Sequence, residues 1–147
     1  SCLSKENINI ILISQSSSEV SINFCIKTND TSRASYCINK EFNKEISQHS
    51  FRLTLLTDVS IIAVISSNEN NRCIISQKLL QIVNNYKIKT YVHNSSGLNS
   101  CIVVDNNKLN ENMNLIHNQL FQNNGFKYNI FLLGLGNIGS GLFIFIF

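Results

Sequence analysis

Apolar residues recur along this chain with two different periods, and segments of each kind alternate from one end to the other. Val20, Ile22, Phe24 and Ile26 occupy every second position, which predicts a strand with one buried face. Elsewhere apolar residues return at intervals of three and four, as in helices that bury one side. The pattern predicts strands at 8–13, 20–26, 51–56, 59–65, 87–92, 99–104 and 128–133, and helices over 34–46, 75–83 and 109–121.

The order of these elements repeats after 78 residues. This shift aligns Gln15 with His93 and the serine pair at 17–18 with the pair at 95–96. In the second copy a strand and a helix come first, which gives the β-α-β-β-α-β order of a ferredoxin-like fold. The first copy shows only the tail of its opening helix, near residues 2–7. We therefore expect an α+β protein whose first repeat is incomplete, as if the chain were cut at its start.

Composition excludes several classes of function. Charged residues make up 14% of the 147 residues, and the net charge of +3 comes from side chains that are scattered singly. Because no basic run exists, we expect no nucleic-acid partner. The chain holds 23 Asn and 21 Ile but no Pro or Trp, a bias typical of an AT-rich genome. We interpret most of the Asn residues as exposed and without a specific role.

Cysteine and histidine usage indicates neither a disulfide framework nor a metal site. The number of cysteines is odd, no two of them have the CxxC spacing, and no secretory signal precedes them. The histidines show no ligand spacing with the cysteines. We therefore expect free thiols in a reducing, cytoplasmic setting and no bound metal. The residues concerned are Cys2, Cys25, Cys37, Cys73, Cys101, His49, His93 and His117.

Four sequence segments, in order, resemble bifunctional aspartokinase–homoserine dehydrogenase. INIILISQSSSEVSINFCI at 8–26 is similar to the first regulatory repeat of that family, and VHNSSG at 92–97 is similar to the turn of the second. HNQLF at 117–121 matches the end of a family helix. NIFLLGLGNIGSG at 129–141 matches the strand and glycine fingerprint that open the dehydrogenase part.

The resemblance implies a tandem ACT regulatory region between a kinase and a dehydrogenase domain. It implies a first ACT-like repeat at 1–56, a second at 57–122, and at 123–147 a link and the start of a Rossmann-type domain. Such regions bind threonine, the end product of the pathway, and damp the enzyme activities. The family is enzymatic and its dehydrogenase uses NAD(P), but this chain holds no complete catalytic set. Pairing of ACT-like sheets implies a homo-oligomer.

The first serine turn is the candidate ligand site. The amide of Gln15 can donate to a carboxylate and accept from an ammonium group, and a turn with Ser17, Ser18 and Glu19 offers hydroxyls and backbone N–H groups. The resemblance implies that the glutamine contacts threonine. Without the resemblance, the segment would be interpreted as an ordinary polar turn between two strands.

The second serine turn departs from the family pattern. The 78-residue shift places His93 where the glutamine is expected, and Ser95 and Ser96 remain from the serine turn. His93 can still donate and accept, but its shape differs. We expect this copy of the turn to be mainly structural.

The glycine motif at Gly134, Gly136 and Gly139 has the G-x-G-x-x-G spacing that cradles a dinucleotide pyrophosphate. The acidic residue expected about 20 positions later is absent. The chain instead ends in the uncharged run 142–147. We interpret the motif as a remnant and expect no cofactor to bind this chain.

Three other interpretations remain open from the sequence. The chain could be a ligand-free ACT-like module that serves dimerisation, or the product of a decaying gene. The uncharged stretch 130–147 also has the length of a membrane span, although its glycines favour the dinucleotide-binding interpretation and no membrane partner is expected.

Overall fold

The computed structural model describes residues 2–15, 21–65, 72–96, 99–121, 132–134 and 140–146. They belong to two compact units, one formed by Ser1–Val59 with Asn137–Phe147 and the other by Ser60–Gly136. The described helices are α1 (Cys2–Lys5), α2 (Thr31–Glu41), α3 (Asn43–Ser47), α4 (Arg72–Asn85) and α5 (Leu109–Phe121). The described strands are β1 (Ile10–Gln15), β2 (Ser21–Ile26), β3 (Phe51–Thr57), β4 (Val59–Ile65), β5 (Thr90–Ser96), β6 (Asn99–Asp105), β7 (Leu132–Gly134) and β8 (Ser140–Ile146).

The sheet of the first unit has the strand order β1-β2-β8-β3, and each strand is antiparallel to its neighbours. The strand β8 lies between β2 and β3. It pairs with β2 from Ser21 to Ile26 and with β3 from Phe51 to Thr57. Because both of its edges are paired, β8 is a central strand of this sheet.

The sheet of the second unit has the order β5-β6-β4-β7. The hairpin β5–β6 corresponds to the hairpin β1–β2, and β4 holds the position that β8 holds in the first sheet. The short strand β7 runs antiparallel to β4, with Gly134 opposite Ile62. The predicted α+β fold with two ferredoxin-like strand arrangements is therefore confirmed.

Each unit has its own hydrophobic core between helices and sheet. In the first unit Ile26, Ala34 and Ile38 are almost fully buried, so α2 packs its apolar side on β2. In the second unit Leu79 of α4 and Ile116 of α5 are fully buried beside the sheet residues Val64, Ile102 and Val104. The buried helix residues lie on the apolar sides that the three- and four-residue periodicity predicted. Leu80, which the same pattern placed on the apolar side of its helix, is instead 38% exposed.

Two helix ends decide where the hairpins begin. Asn7 and Lys87 follow α1 and α4 with φ values of 53° and 52°, the left-handed conformation that ends helices. The next residues still belong to these caps, because the N–H of Ile8 donates to Leu3 O at 3.0 Å and that of Ile88 to Val83 O at 2.9 Å. The hairpin strands consequently begin at Ile10 and Thr90 rather than at the predicted residues 8 and 87.

The helix predicted over 34–46 is divided in two. The backbone of Phe42 leaves the helical region (φ −107°, ψ 26°), which separates α2 from α3. Its ring stacks on Phe51 with a centroid distance of 4.7 Å and an interplanar angle of 6°. This contact joins the helix break to the first residue of β3.

The residues expected to begin a Rossmann-type domain are shared between the two sheets. Leu132–Gly134 joins β4 of the second unit and Ser140–Ile146 joins β2 and β3 of the first. Gly134 is the last residue of β7, while Gly136 and Gly139 lie outside the described residues. The described part of the chain thus shows no Rossmann start, and that assignment stays a prediction.

None of the described helices combines the length and the apolar character needed to cross a bilayer. Nor do the described His, Cys, Asp and Glu side chains contain a group of three that could hold a metal ion. All five cysteines are outside disulfides.

Adjacent leucines on α4 provide a matched test of this packing. Leu79 is fully buried, whereas Leu80 is 38% exposed. Leu79→Ala should lower the free energy of unfolding by about 2–5 kcal/mol, because it leaves a cavity in the core of the second unit. Leu80→Ala should change it by about 0.5 kcal/mol or less. Urea unfolding followed by circular dichroism measures both changes, and hydrogen exchange of β6 assigns them to the second unit. Equal losses for the two variants would contradict this core.

Candidate functional site

Gln15 lies at the end of β1, where the candidate ligand turn begins. It is exposed and stands opposite Ile22 in the antiparallel ladder. The strand end leads into the connection to β2. Ser17, Ser18 and Glu19 belong to that connection and lie outside the described residues, so their ligand roles stay predictions.

The second turn has a different arrangement of hydroxyl groups. Ser95 stands opposite Ser100, and the Ser100 hydroxyl donates a hydrogen bond to Ser95 Oγ at 3.1 Å. Ser100 is buried, and Ser96 ends β5 opposite Asn99. The Ser95 hydroxyl is therefore already engaged within the hairpin.

The ladders correct the predicted equivalence of Gln15 and His93. Gln15 pairs with Ile22, whereas the corresponding rung of the second hairpin pairs Ser95 with Ser100. His93 stands opposite Ile102. The first strands of the two hairpins are thus related by 80 residues and the second strands by 78, because the connection between β5 and β6 is two residues shorter.

This shift changes the residue at each site position. Ile13 pairs with Phe24 in the same rung in which His93 pairs with Ile102, so His93 replaces an apolar residue and Ser95 replaces the glutamine. A single 78-residue shift could not detect this change. A connection that is shorter by two residues leaves the alternation of apolar and polar positions intact in both flanking strands. His93 is therefore not the structural counterpart of Gln15.

His93 has the surroundings of a packed neutral imidazole. It is half-buried, and its Nε2 is buried without a hydrogen-bond partner among the described residues. Burial lowers the pKa of His93 below its ordinary value, because the charged form loses hydration. The side chain is consequently suited to apolar contact rather than to binding a carboxylate as a cation.

A cavity of about 290 Å³ in the second unit was not predicted from the sequence. It lies at the end of the hairpin where Thr90 pairs with Val104, opposite the turn. Its lining combines basic, acidic and amide side chains with apolar ones, and the residues are Tyr86, Lys87, Ile88, Lys89, Asp105, Lys108, Glu111, Asn112 and Leu115. The charged residues are far apart in sequence and follow no motif, so no sequence signal indicated the cavity.

Two lining residues of this cavity, Lys89 and Asp105, form an ion pair, and the nearby Tyr91 contacts both of them. The Tyr91 hydroxyl donates to Asp105 Oδ1, and Lys89 Nζ lies 3.5 Å from Asp105 Oδ2 and 4.8 Å from the centre of the Tyr91 ring. The hydrogen bond from Tyr91 and the charge of Lys89 lower the pKa of Asp105. Tyr91 and Asp105 likewise raise the pKa of Lys89. Because these charges already pair, the cavity is a weaker candidate for a charged ligand than the Gln15 turn.

Comparison with known proteins finds one matching domain family and two similar enzymes. Residues 1–42, which include Gln15 and the turn after it, match the ACT domain family. The chain is 32% identical over 143 residues to the bifunctional aspartokinase/homoserine dehydrogenase of Buchnera aphidicola, covering 95% of this chain and 17% of that protein. It is also 32% identical over 145 residues to the enzyme of the same name from Haemophilus influenzae, covering 97% and 18%.

This chain resembles the regulatory region of bifunctional aspartokinase/homoserine dehydrogenases. Its fold agrees, since the ligand-free regulatory subunit of aspartate kinase from Thermus thermophilus superimposes with a TM-score of 0.64 at 11% identity, covering 80% of this chain and 78% of that one. The predicted resemblance is confirmed. The chain spans less than a fifth of the two bifunctional relatives, at 17% and 18% of their lengths.

The position of His93 in this ACT-like hairpin predicts a pH effect. Because the folded state lowers its pKa below the ordinary 6.5, the unfolded state binds the proton more readily. The free energy of unfolding should therefore fall as the pH drops through 6.5 and the unfolded His93 takes up a proton. His93→Gln should flatten this dependence.

Urea unfolding between about pH 7.5 and pH 5 measures the effect. His117→Gln, which replaces an exposed imidazole on α5, is the matched control. If both variants keep the wild-type pH dependence, burial of His93 is not its source.

Proposed function

We propose that this chain binds L-threonine as a regulatory ligand, with Gln15 as the main contact from the first ACT-like repeat. One observation carries the proposal: the match to the ACT domain family, residues 1–42, includes the exposed Gln15 at the end of β1. The resemblance to bifunctional aspartokinase/homoserine dehydrogenases supports an amino acid of that biosynthetic pathway as the ligand.

The chemistry of this strand end suits a zwitterion. An amino acid offers a carboxylate that accepts hydrogen bonds and an ammonium group that donates them, and one amide can serve both. Gln15 is exposed, so its amide can be desolvated by a ligand without the loss of a buried partner. The hydroxyls of Ser17 and Ser18 and the carboxylate of Glu19 follow directly in the sequence and are proposed as further contacts.

The second hairpin is proposed as a structural copy of the first. Ser95 stands where Gln15 stands, and its hydroxyl is held by the buried Ser100. Between the corresponding ladder pairs its connection comprises residues 96–99, against 16–21 in the first hairpin. His93, Ser95 and Ser96 therefore contribute less to ligand binding than Gln15.

The activities of a whole protein containing this chain follow from the resemblance as proposals. Aspartate kinase and NAD(P)-dependent homoserine dehydrogenase activities would belong to other parts of that protein, and threonine bound here would damp them. The setting proposed for such a biosynthetic protein is the cytoplasm.

Association through sheet edges is the second candidate function. The strands β1 and β5 are each at an edge of their sheet, and Ile13 of β1 is 54% exposed. Edge strands with apolar side chains tend to be covered by another chain. A module that only dimerises would show a dimer in light scattering and no heat of threonine binding, whereas the regulatory proposal requires the heat.

Replacing Gln15 tests the ligand proposal. Gln15→Ala should weaken threonine binding about tenfold or more, because a hydrogen bond to a charged ligand group contributes about 1.5–3 kcal/mol. Titration calorimetry measures the change. Gln77→Ala is the control, since it removes another exposed glutamine, which lies on α4.

Two further titrations make the result specific. L-Valine has a methyl group in place of the threonine hydroxyl, and L-serine lacks the threonine methyl group. Both should bind more weakly than L-threonine. His93→Ala should reduce threonine affinity less than Gln15→Ala does. Equal losses at Gln15 and His93 would contradict the different roles of the two hairpins.

A further inference from the structure

Two thiols of the first unit lie together where α1 contacts α2. Cys37 of α2 belongs to the buried apolar cluster of this unit, and Cys2 of α1 packs against the same cluster. The two thiols are in hydrogen-bonding contact, and the Cys37 thiol also donates to Ala34 O at 3.2 Å. Cys2 is partly exposed, whereas Cys37 is 7% exposed. A reagent in solution therefore reaches the sulfur of Cys2 more easily than that of Cys37.

Further contacts hold the same two segments together. The Arg33 guanidinium of α2 donates from Nη1 to Glu6 O, directly after α1, at 3.2 Å. Leu3 of α1 is buried in the same cluster as Ile38 of α2. Because these contacts fix α1 against α2, the two sulfurs are held close together in the folded chain.

The second unit has aliphatic side chains at the corresponding positions. The offset of 80 residues that relates the first helix ends equates Cys2 with Ile82, and the offset of 78 that relates the second strands equates Cys37 with Leu115. Ile82 is buried, and Leu115 packs against the cluster to which Ile82 belongs. Packing of this helix contact thus does not require sulfur, so the thiol pair gives the first unit a chemistry that the second unit lacks.

We propose that Cys2 and Cys37 form a reversible oxidation site, at which a low-molecular-weight disulfide such as glutathione disulfide produces an intramolecular disulfide between α1 and α2. Disulfides of this kind in a reducing compartment are transient, forming under oxidation and being reduced again afterwards. The proposal is independent of threonine binding, because neither thiol belongs to the Gln15 turn.

The exchange takes two steps. The Cys2 thiolate attacks one sulfur of glutathione disulfide, the S–S bond of that molecule breaks, and one glutathione leaves as its thiolate. The Cys37 thiolate then attacks the Cys2 sulfur of the mixed disulfide and displaces the second glutathione. The protons of the two protein thiols end on the two glutathione thiolates. Two protein thiols are thereby oxidised, and one glutathione disulfide is reduced to two glutathione thiols.

The surroundings of Cys37 determine the order of these steps. Burial, together with the hydrogen bond to Cys2 and the charge of Cys2, raises the pKa of Cys37 to about 11. A thiol that ionises so weakly is a poor first nucleophile, because the thiolate is the reactive form. Once Cys2 is part of the mixed disulfide it carries no charge, so its contribution to the pKa of Cys37 is lost and Cys37 ionises more readily.

Peptide mapping of the full chain tests the pair directly, because trypsin places each of the five cysteines in a different peptide. The folded chain is incubated with glutathione disulfide, the remaining thiols are blocked with N-ethylmaleimide, and the monomer is digested. Peptides 1–5 and 34–40 should be recovered as one species that dithiothreitol separates. This link should exceed any other cysteine pair about tenfold or more, because proximity raises the effective concentration of one thiol at the other. Absence of the link, or an equal preference for it in the urea-unfolded chain, would overturn the proposal.

Three variants test the roles of the two thiols. Cys37→Ser removes the second nucleophile, so peptide 1–5 should accumulate with one bound glutathione. In Cys2→Ser, Cys37 should stay unmodified while the exposed Cys73 reacts as in the unchanged chain. Cys101→Ser, the control in the second unit, should form the link as the unchanged chain does. Reaction of Cys37 as fast as that of Cys73 in Cys2→Ser would overturn the assigned order, and the mapping of the unchanged chain needs no substitution at all.

Discussion

The backbone hydrogen bonds of a central strand are the constraint on which each unit depends. An extended segment in the middle of a sheet has N–H and C=O groups on both edges, and leaving one buried without a partner costs about 1–3 kcal/mol. The strands β4 and β8 meet this requirement in the two sheets, and both have uncharged sequences. In the first unit the helices alone would not fix β3 in the sheet, although the stack of Phe42 on Phe51 holds its first residue. The pairing with β8 supplies the rest.

The two hairpins begin at equivalent residues, because equivalent helix ends precede them. Asn7 and Lys87 turn the chain out of α1 and α4 with nearly the same left-handed φ. Each hairpin then shows the same irregularity after its first paired residue, between Ile10 and Leu12 and between Thr90 and Val92. A shift of the strand by one residue would move its apolar side chains to the other face of the sheet. The equivalent starting residues therefore keep the apolar side chains of both hairpins towards their helices.

The element order could be predicted from the sequence because each helix or strand that buries one face shows that face as a local period of apolar residues. The helical spacing around Ile38 and Ile116 corresponds to the buried faces of α2 and α5. The single buried face predicted for 20–26 is wrong at Cys25, which is buried together with its neighbours Phe24 and Ile26. Local patterns could not predict the partner of the terminal run. Its apolar, uncharged sequence is equally typical of an aggregating segment and of a central strand, and pairing across most of the chain decides between them.

In the candidate site, too, local sequence indicated the residues, whereas strand pairing determined which residues of the two hairpins correspond. The pattern ended the first strand at residue 13 and placed Gln15 in the turn, whereas β1 continues through Gln15. Its counterpart in the second copy was not predicted either, because a shorter connection shifts one strand against the other. Both hairpins follow the same kind of helix exit and have second strands that are largely buried near their ends. The turn is the part of the unit that can change length without disturbing either, since it lies beyond the last ladder pair. Divergence in the turn could therefore remove a ligand contact from one copy while its fold was kept, which is why we propose Gln15, and not Ser95 or His93, as the principal contact.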